Sequence, residues 1–247
     1  MVAGLHGDGS ALSSPLVMKH ADAVLSVYVP GEANGDAIAD VLLGEAEPSG
    51  ALPHTVYTPG YVDRVDFLDH SWRTGLGRGD RYIRDRSCVM LPFGYGLGYS
   101  AFNLSLDAVS PPGNGGGGGG GAQSASVAVS VTNTGRRTAS KVVAVMLRER
   151  HVAMPLRANR WLGAFDKAKD VAPGETRSLL LRISPERWSA YDGFSGTWKP
   201  KPGQYEVMLL QDCCPLCGGE GCPACTCPDW AATSLEFSVC APGEPTC

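Results

Sequence analysis

Seven consecutive glycines, Gly115 to Gly121, follow Pro111-Pro112-Gly113-Asn114 and divide a chain of 247 residues. A glycine run buries no apolar surface and keeps high backbone entropy, so no core can pass through it. The chain therefore has to build its cores on either side. A boundary is expected there, with a first domain over residues 1–110, a linker over 111–122 and a second domain over 123–240. Hydrophobic residues make up 43% and charged residues 19%, which suits packed cores and excludes disorder throughout. Residues 1–110 carry 7 Lys+Arg against 13 Asp+Glu, and residues 122–247 carry 14 against 12. Neither half has a basic face suited to nucleic acid. The most apolar stretch, Pro15 to Val29, is interrupted by Lys19, His20 and Asp22, so no membrane span is expected. The first twenty residues have no basic tip followed by an apolar block, and so no export signal is legible in them.

The first half changes period along its length. Ala23 to Val29 is a short β-branched run stopped by Pro30-Gly31 and reads as a buried strand. Asn34 is placed as N-cap of a helix whose apolar face carries Ala37, Ile38, Val41 and Leu42, with Gly44 as terminator. Strand, turn and helix make half of a β-α-β unit and imply a parallel sheet. Residues 1–20 supply at most one more strand, so that sheet is expected to be incomplete. From Pro59 to Pro92 six arginines alternate with five aspartates and no periodic pattern is visible. The plainer reading is a solvated loop with surface ion pairs. The functional reading is a grip on a polar ligand through bidentate hydrogen bonds.

The second half alternates with period 2 from Ala125 to Thr132, turns at Asn133-Thr134-Gly135 and continues over Lys141 to Leu147, which reads as a hairpin. Further strands are expected at Thr176 to Ile183, Gln204 to Leu210 and Thr233 to Val239. Short strands with Gly and Pro turns and no helices indicate a β-sandwich. The fold class expected for the whole chain is thus α/β plus all-β: a partial α/β sandwich domain followed by an immunoglobulin-like, fibronectin type III-like β-sandwich.

Several motifs in order resemble the C-terminal part of glycoside hydrolase family 3. They are Pro30-Gly-Glu-Ala-Asn-Gly-Asp-Ala-Ile-Ala-Asp-Val-Leu-Leu-Gly44, Pro48-Ser-Gly-Ala-Leu-Pro53 and Pro92-Phe-Gly-Tyr-Gly-Leu-Gly-Tyr-Ser-Ala-Phe102. Leu162-Gly-Ala-Phe165, Pro173-Gly-Glu175 and Pro202-Gly-Gln-Tyr-Glu-Val207 resemble that family's terminal fibronectin type III-like domain. Tyr61-Val-Asp-Arg-Val65, Trp72-Arg73 and Gly77-Arg78-Gly-Asp-Arg81-Tyr82 look like the plant-type β-xylosidase and arabinofuranosidase members, with β-glucosidase specificity left open. The chain departs from the family at Ser26, where Trp is usual, and at Tyr28, where Gly is usual.

The resemblance implies a retaining O-glycosidase, which needs two carboxyl groups about 5 to 5.5 Å apart. In the family, one lies on an N-terminal (β/α)8 barrel and the other upstream of the strand-Pro-Gly-helix motif. No catalytic residue is therefore expected in this chain, Glu32, Glu45 and Glu47 included, and the chain by itself is expected to be inactive. Trp72, Arg73 and Arg78 are candidate substrate contacts at the rim of a sugar pocket. No cofactor is implied. The implied partners are a xylan-type oligosaccharide and an N-terminal barrel domain, both in a longer protein, and the implied location is extracellular or cell wall. The competing class is a non-catalytic accessory protein whose sandwich contacts carbohydrate.

Of nine cysteines, Cys88 stands alone, and Cys213, Cys214, Cys217, Cys222, Cys225, Cys227, Cys240 and Cys247 crowd the last 35 residues. Six of these form a Cys-rich insert over residues 212–229, before a tail at 241–247. Two Cys-x-x-Cys units give Cys214, Cys217, Cys222 and Cys225 the spacing of a tetrahedral zinc site. In an exported protein such thiols pair as disulfides, and that reading is taken here, with zinc as the alternative. Asn103-Leu104-Ser105 is a glycosylation sequon.

Overall fold

The computed structural model describes residues 2–6, 10–112, 124–150, 158–210 and 234–239. The chain forms two compact units, the first ending at Gly98 and the second beginning at Tyr99. The Cys-rich insert, with Cys213, Cys214, Cys217, Cys222, Cys225 and Cys227, lies outside the described residues, as do Cys240 and Cys247.

In the first unit β1 (Val2–His6) is followed by a six-residue helix α1 (Pro15–His20) and by β2 (Ala23–Tyr28), which runs parallel to β1 with Val2 opposite Ala23. Helix α2 (Asn34–Leu43) follows. Its N-cap is Ala33 and not Asn34, so no side chain caps the first turn, while Gly44 closes the helix in the left-handed conformation as expected. No residue of α2 is buried. Leu43 is 78% exposed and Val29, just after β2, 87% exposed. The 3.6-residue pattern has therefore formed its helix without covering the helix's apolar side. The small core of this unit lies elsewhere, where Leu12, Val56 and Leu91 pack with Val24, Leu52, Met90 and Tyr95. It is organised by β3 (Val56–Tyr57), antiparallel to β4 (Val89–Leu91), with the short helix α3 (Gly79–Tyr82) in the excursion between them. The Pro92 to Gly98 stretch folds back on residues 50–52, with the Leu52 amide donating to the Tyr95 carbonyl at 2.8 Å and the Gly94 amide to the Leu52 carbonyl at 2.7 Å. A Cβ on Gly96 would lie 2.4 Å from the Gly50 carbonyl oxygen, so only glycine fits this close approach.

The second unit begins with β5 (Phe102–Ser110), antiparallel to β6 (Ala125–Asn133). The expected boundary at residue 110 is therefore misplaced. The glycine run is the connection between two paired strands, and the division between units comes twelve residues earlier. A connection of this length is compatible with such pairing because closure entropy grows only slowly with loop length. Next come β7 (Ala139–Glu149), β8 (Trp161–Val171) and β9 (Thr176–Ile183). After them come β10 (Ser189–Asp192), β11 (Thr197–Pro200), β12 (Gly203–Leu209) and β13 (Ser234–Val239). One sheet has the order β5-β6-β9 and the other β13-β12-β7-β8, with β10 and β11 as a separate hairpin. The expected β6–β7 hairpin does not form, because each strand belongs to a different sheet. At the crossing, Asn133 donates from Nδ2 to the carbonyls of Arg137 and Val171, both at 2.7 Å, while its Oδ1 accepts from the Gly135 amide at 2.9 Å. Those bonds turn the chain into the second sheet.

Both sheets contribute to one core. Alternation in β6 buries Val127, Val129 and Val131, which meet Val143, Val145 and Leu147 of β7 and Tyr205, Val207 and Leu209 of β12. Tyr205 stacks on Phe237 with centroids 5.6 Å apart, and Trp188 meets the same ring edge-on at 5.5 Å. The Tyr205 hydroxyl donates to the Lys201 carbonyl at 2.8 Å. This is the tyrosine corner often seen in immunoglobulin-like folds, and burial raises that phenol's pKa above its usual value.

Candidate functional site

The first unit holds a cavity of about 560 Å³ whose lining comes entirely from residues 53–80. Its floor is aromatic. Tyr57 ends β3, and the single 3-10 turn at Pro59–Tyr61 brings Tyr61 back onto it, so that the rings stack in parallel at 3.9 Å between centroids and 5° between planes. The hydroxyls of both rings hold one segment of backbone. Tyr61 Oη donates to the Gly77 carbonyl at 3.1 Å, and the Gly79 amide donates to Tyr57 Oη. Burial raises the pKa of Tyr57 to about 12 and that of Tyr61 in the same direction, so both phenols stay neutral near pH 7.

Gly79, at φ +63, sits under the indole of Trp72, where an added Cβ would be 3.3 Å from Cζ3. The Arg78 amide donates to the Trp72 carbonyl at 3.1 Å, and Arg78 Nη2 donates to the Asp66 carbonyl at 2.6 Å. These contacts fix Trp72 and Arg78 as two sides of the cavity, while Phe67, Val62 and Val65 supply further apolar wall and His54, Thr55 and Asp80 polar groups. Trp72 remains 59% exposed and Phe67 90% exposed, so the indole and the benzyl ring stand open at the cavity.

The loop behind this wall is held by charge. Arg64 pairs with Asp85 at 2.7 Å and also donates to the sulfur of the buried free Cys88 at 3.0 Å. Asp85 Oδ1 accepts from the amide and hydroxyl of Ser87 at 2.9 and 2.6 Å. The Ser87 bonds and Arg64 together bring the Asp85 carboxyl down to about 2. Arg84 donates to the Gly75 carbonyl at 3.1 Å and to the Arg73 carbonyl. In the arginine-aspartate stretch, then, Arg64 forms a surface ion pair with Asp85, and Arg78 lines the cavity.

Trp72 and Arg78 are brought together in the cavity. Arg73 is not part of the lining; its guanidinium lies 5.4 Å over the ring of Tyr82. Asn103 is exposed on β5. Glu32, Glu45 and Glu47 are not among the lining residues, and among the described residues the one carboxylate in the lining belongs to Asp80. Sequence reasoning missed Tyr57, Tyr61, Phe67 and His54. The available signal was the pair of tyrosines four residues apart around Pro59.

Residues 2–99 match the family model described as the glycosyl hydrolase family 3 C-terminal domain, and residues 141–212 match that of a fibronectin type III-like domain. The chain belongs to glycoside hydrolase family 3. It is 30% identical over 200 residues to a xylan 1,4-beta-xylosidase of Xylanibacter ruminicola, covering 81% of this chain and 21% of that protein. It is 33% identical over 199 residues to a beta-glucosidase of Rhizobium radiobacter, covering 76% of this chain and 23% of the other. This family 3 chain thus spans about a fifth to a quarter of the length of these curated relatives. Among solved structures, the exo-beta-xylosidase XlnD in complex with a xylobiose aziridine probe superposes with a TM-score of 0.65 at 22% identity, covering 84% of this chain and 29% of that one. The beta-D-glucoside glucohydrolase of Trichoderma reesei superposes with a TM-score of 0.68 at 22% identity, covering 97% and 33%. The structural likeness extends the family assignment to a shared fold.

Proposed function

We propose that this chain serves as the C-terminal portion of a retaining β-xylosidase or β-glucosidase-like hydrolase. In this reading it contributes the sugar contacts Trp72 and Arg78 and a fibronectin type III-like sandwich, and no catalytic group of its own. The observation that carries the reading is the lining of the cavity, where Asp80 is the one carboxylate among the described residues. Retention by double displacement needs a second carboxyl about 5 to 5.5 Å away to act as acid and then base. The uncovered face of α2 supports the same conclusion, since further elements of a larger α/β domain would pack on it. The names of the relatives, xylosidase and glucosidase, support a β-linked neutral sugar as substrate, and an extracellular setting fits the exposed sequon at Asn103.

The test has two arms. The purified chain is assayed against 4-nitrophenyl β-D-xylopyranoside and the corresponding glucoside, with no release of nitrophenol above the blank expected. The 5′ end of the transcript is sequenced as well, and a reading frame that continues upstream through a barrel is expected. Turnover that copurifies with the chain and disappears in Asp80→Asn would refute the non-catalytic assignment.

A further inference from the structure

We infer that Asn103 carries an N-linked glycan in the exported protein and that this glycan guards the open edge of β5 against strand addition by a second copy of the chain. The inference rests on the extracellular part of the reading above and adds to it a modification site and a task for that site. The sequon Asn103-Leu104-Ser105 lies inside β5, and the alternation of the strand decides what each of its residues does. Leu104 is buried in the two-sheet core, while Asn103 and Ser105 on either side of it are exposed on the outer face. Asn103 stands opposite Thr132 and Ser105 opposite Ser130, so the neighbours across the ladder are small hydroxyl side chains that leave room for a sugar. Among the described residues the Asn103 carboxamide makes no hydrogen bond, and its nitrogen is uncommitted.

Transfer joins Asn103 Nδ2 to the anomeric carbon of an oligosaccharide presented as its lipid-linked pyrophosphate. The bond from that carbon to the pyrophosphate oxygen breaks, the lipid pyrophosphate leaves with the electron pair, and one amide proton is released. The Ser105 hydroxyl completes the acceptor sequence. The transferase works on unfolded chain, so the folded strand has only to tolerate a bulky surface group. The outward direction of Asn103 meets that condition.

The place of the sequon on β5 supplies its task. The sheet order β5-β6-β9 gives β5 a single partner, and among the described residues its backbone bonds to β6 alone. An open edge nine residues long is a template for pairing with another chain. Its two halves are protected unequally. Toward the C-terminal end the register shifts between Leu106 and Ala108, and Asp107 places there a carboxylate that accepts from Ser130 Oγ at 2.6 Å. A bulge and a charge both discourage strand addition. The N-terminal half, Phe102-Asn103-Leu104-Ser105-Leu106, runs in unbroken register with Asn133 to Val129 and contains neither a charge nor a proline. Uncharged, apolar and without a breaker, it has the composition of a strand that adds to itself. The sequon lies within this unprotected half. A strand added there would lie about 4.8 Å away, where its residue beside Asn103 would meet the first sugar. A second copy would also bring a second glycan to the same edge.

The experiment fuses the full chain to an export signal and secretes it from a eukaryotic host, so the acceptor is tested whatever the natural transcript encodes. Peptide mass spectrometry is expected to find a glycan on Asn103, retained in Ser105→Thr and missing from Asn103→Gln and Ser105→Ala. Loss of monomer is then followed by size-exclusion chromatography, with all samples in the same reducing buffer. Asn103→Gln and Ser105→Ala should lose monomer severalfold faster than the glycosylated chain. Asn103→Lys, which has no glycan but sets a charge on the edge, should recover the slower rate. If a variant is not secreted, the unmodified chain and Asn103→Lys made in the bacterial cytoplasm, where no such glycan is added, give the same comparison. An empty Asn103 in the secreted chain would overturn the modification. Equal loss of monomer with and without the glycan, or no recovery in Asn103→Lys, would overturn the guarding role. A transcript that encodes no export signal would reject the extracellular setting and leave the occupancy result standing, whereas an empty Asn103 beside a transcript that encodes one would reject this inference alone.

Discussion

Asn133 offers the strongest test of how the second unit is held together. Its side chain is fully buried and makes four hydrogen bonds. Two are donated, to the Arg137 and Val171 carbonyls, and two are accepted, from the Ser100 hydroxyl at 2.7 Å and the Gly135 amide. Asn133→Ala removes all four and leaves the Val171 carbonyl without its side-chain donor. At about 1 kcal/mol net for each bond, the loss is about 4 kcal/mol, a large share of the 5 to 15 kcal/mol typical of a domain. Ser100→Ala removes one of the four and should cost about 1 kcal/mol. Hydrogen exchange of β6 and β9 amides, followed by mass spectrometry under conditions where exchange reports whole-unit opening, gives both values without assuming that the two units unfold together. An Asn133→Ala loss below about 1 kcal/mol, or no larger than that of Ser100→Ala, would refute the claim that this residue fastens the crossing between sheets. Asn133→Asp keeps the acceptor but sets carboxylate oxygen against two carbonyls. It should therefore be worse at neutral pH than at a pH low enough to protonate it.

Three further outcomes follow from the first unit. The Asp85 carboxyl is lowered from 3.8 to about 2 by Ser87 and Arg64, so its contribution is complete above about pH 4 and lost as the pH falls toward 2. Amide protection at residues 85–88 should fall through that window, and Asp85→Asn should be equally weak at both ends of it. Tyr28 holds φ +51, a conformation that costs an ordinary L-residue about 1 to 2 kcal/mol. Tyr28→Asn should be neutral or stabilising and Tyr28→Val destabilising in thermal melts of the full chain; the opposite order would remove strain as the explanation. Tyr57 should titrate near 12 by ultraviolet difference spectroscopy, and Tyr57→Phe should shift the remaining curve toward the usual range near 10.

Strand positions in the second unit were legible because a half-buried strand prints its period directly. Val127, Val129 and Val131 alternate with Ala128 and Ser130, and that alternation matches the burial of β6 residue by residue. Pairing was not legible in the same way. Asn133-Thr134-Gly135 has the composition of a hairpin turn, yet whether the next strand returns beside β6 or crosses to the other sheet depends on Val171, 38 residues away, accepting from Asn133. Likewise a glycine run in a sequence connects strands within a domain as readily as it connects domains. The alternation of Leu104 and Leu106 in β5, both buried against the two-sheet core, was the local sign that the strand before the glycines belonged with the strands after them.

The cavity follows a different logic. Trp72 and Arg78 stood out because they fall in motifs that resemble the β-xylosidase members and can stack and hydrogen-bond, but their neighbours have no period that would announce them. Tyr57 belongs to a two-residue strand, Tyr61 to a single turn, and Gly79 enters through a positive φ that no hydrophobic pattern encodes. What assembles them is backbone held by side chains: two phenols clamp residues 77–79, and Gly79 in turn supports the indole. Arg73, adjacent to Trp72 and equally plausible from its composition, is directed to Tyr82 instead. Sequence adjacency therefore identifies the segment that builds such a cavity, and the conformation of its glycines decides which of its side chains line it.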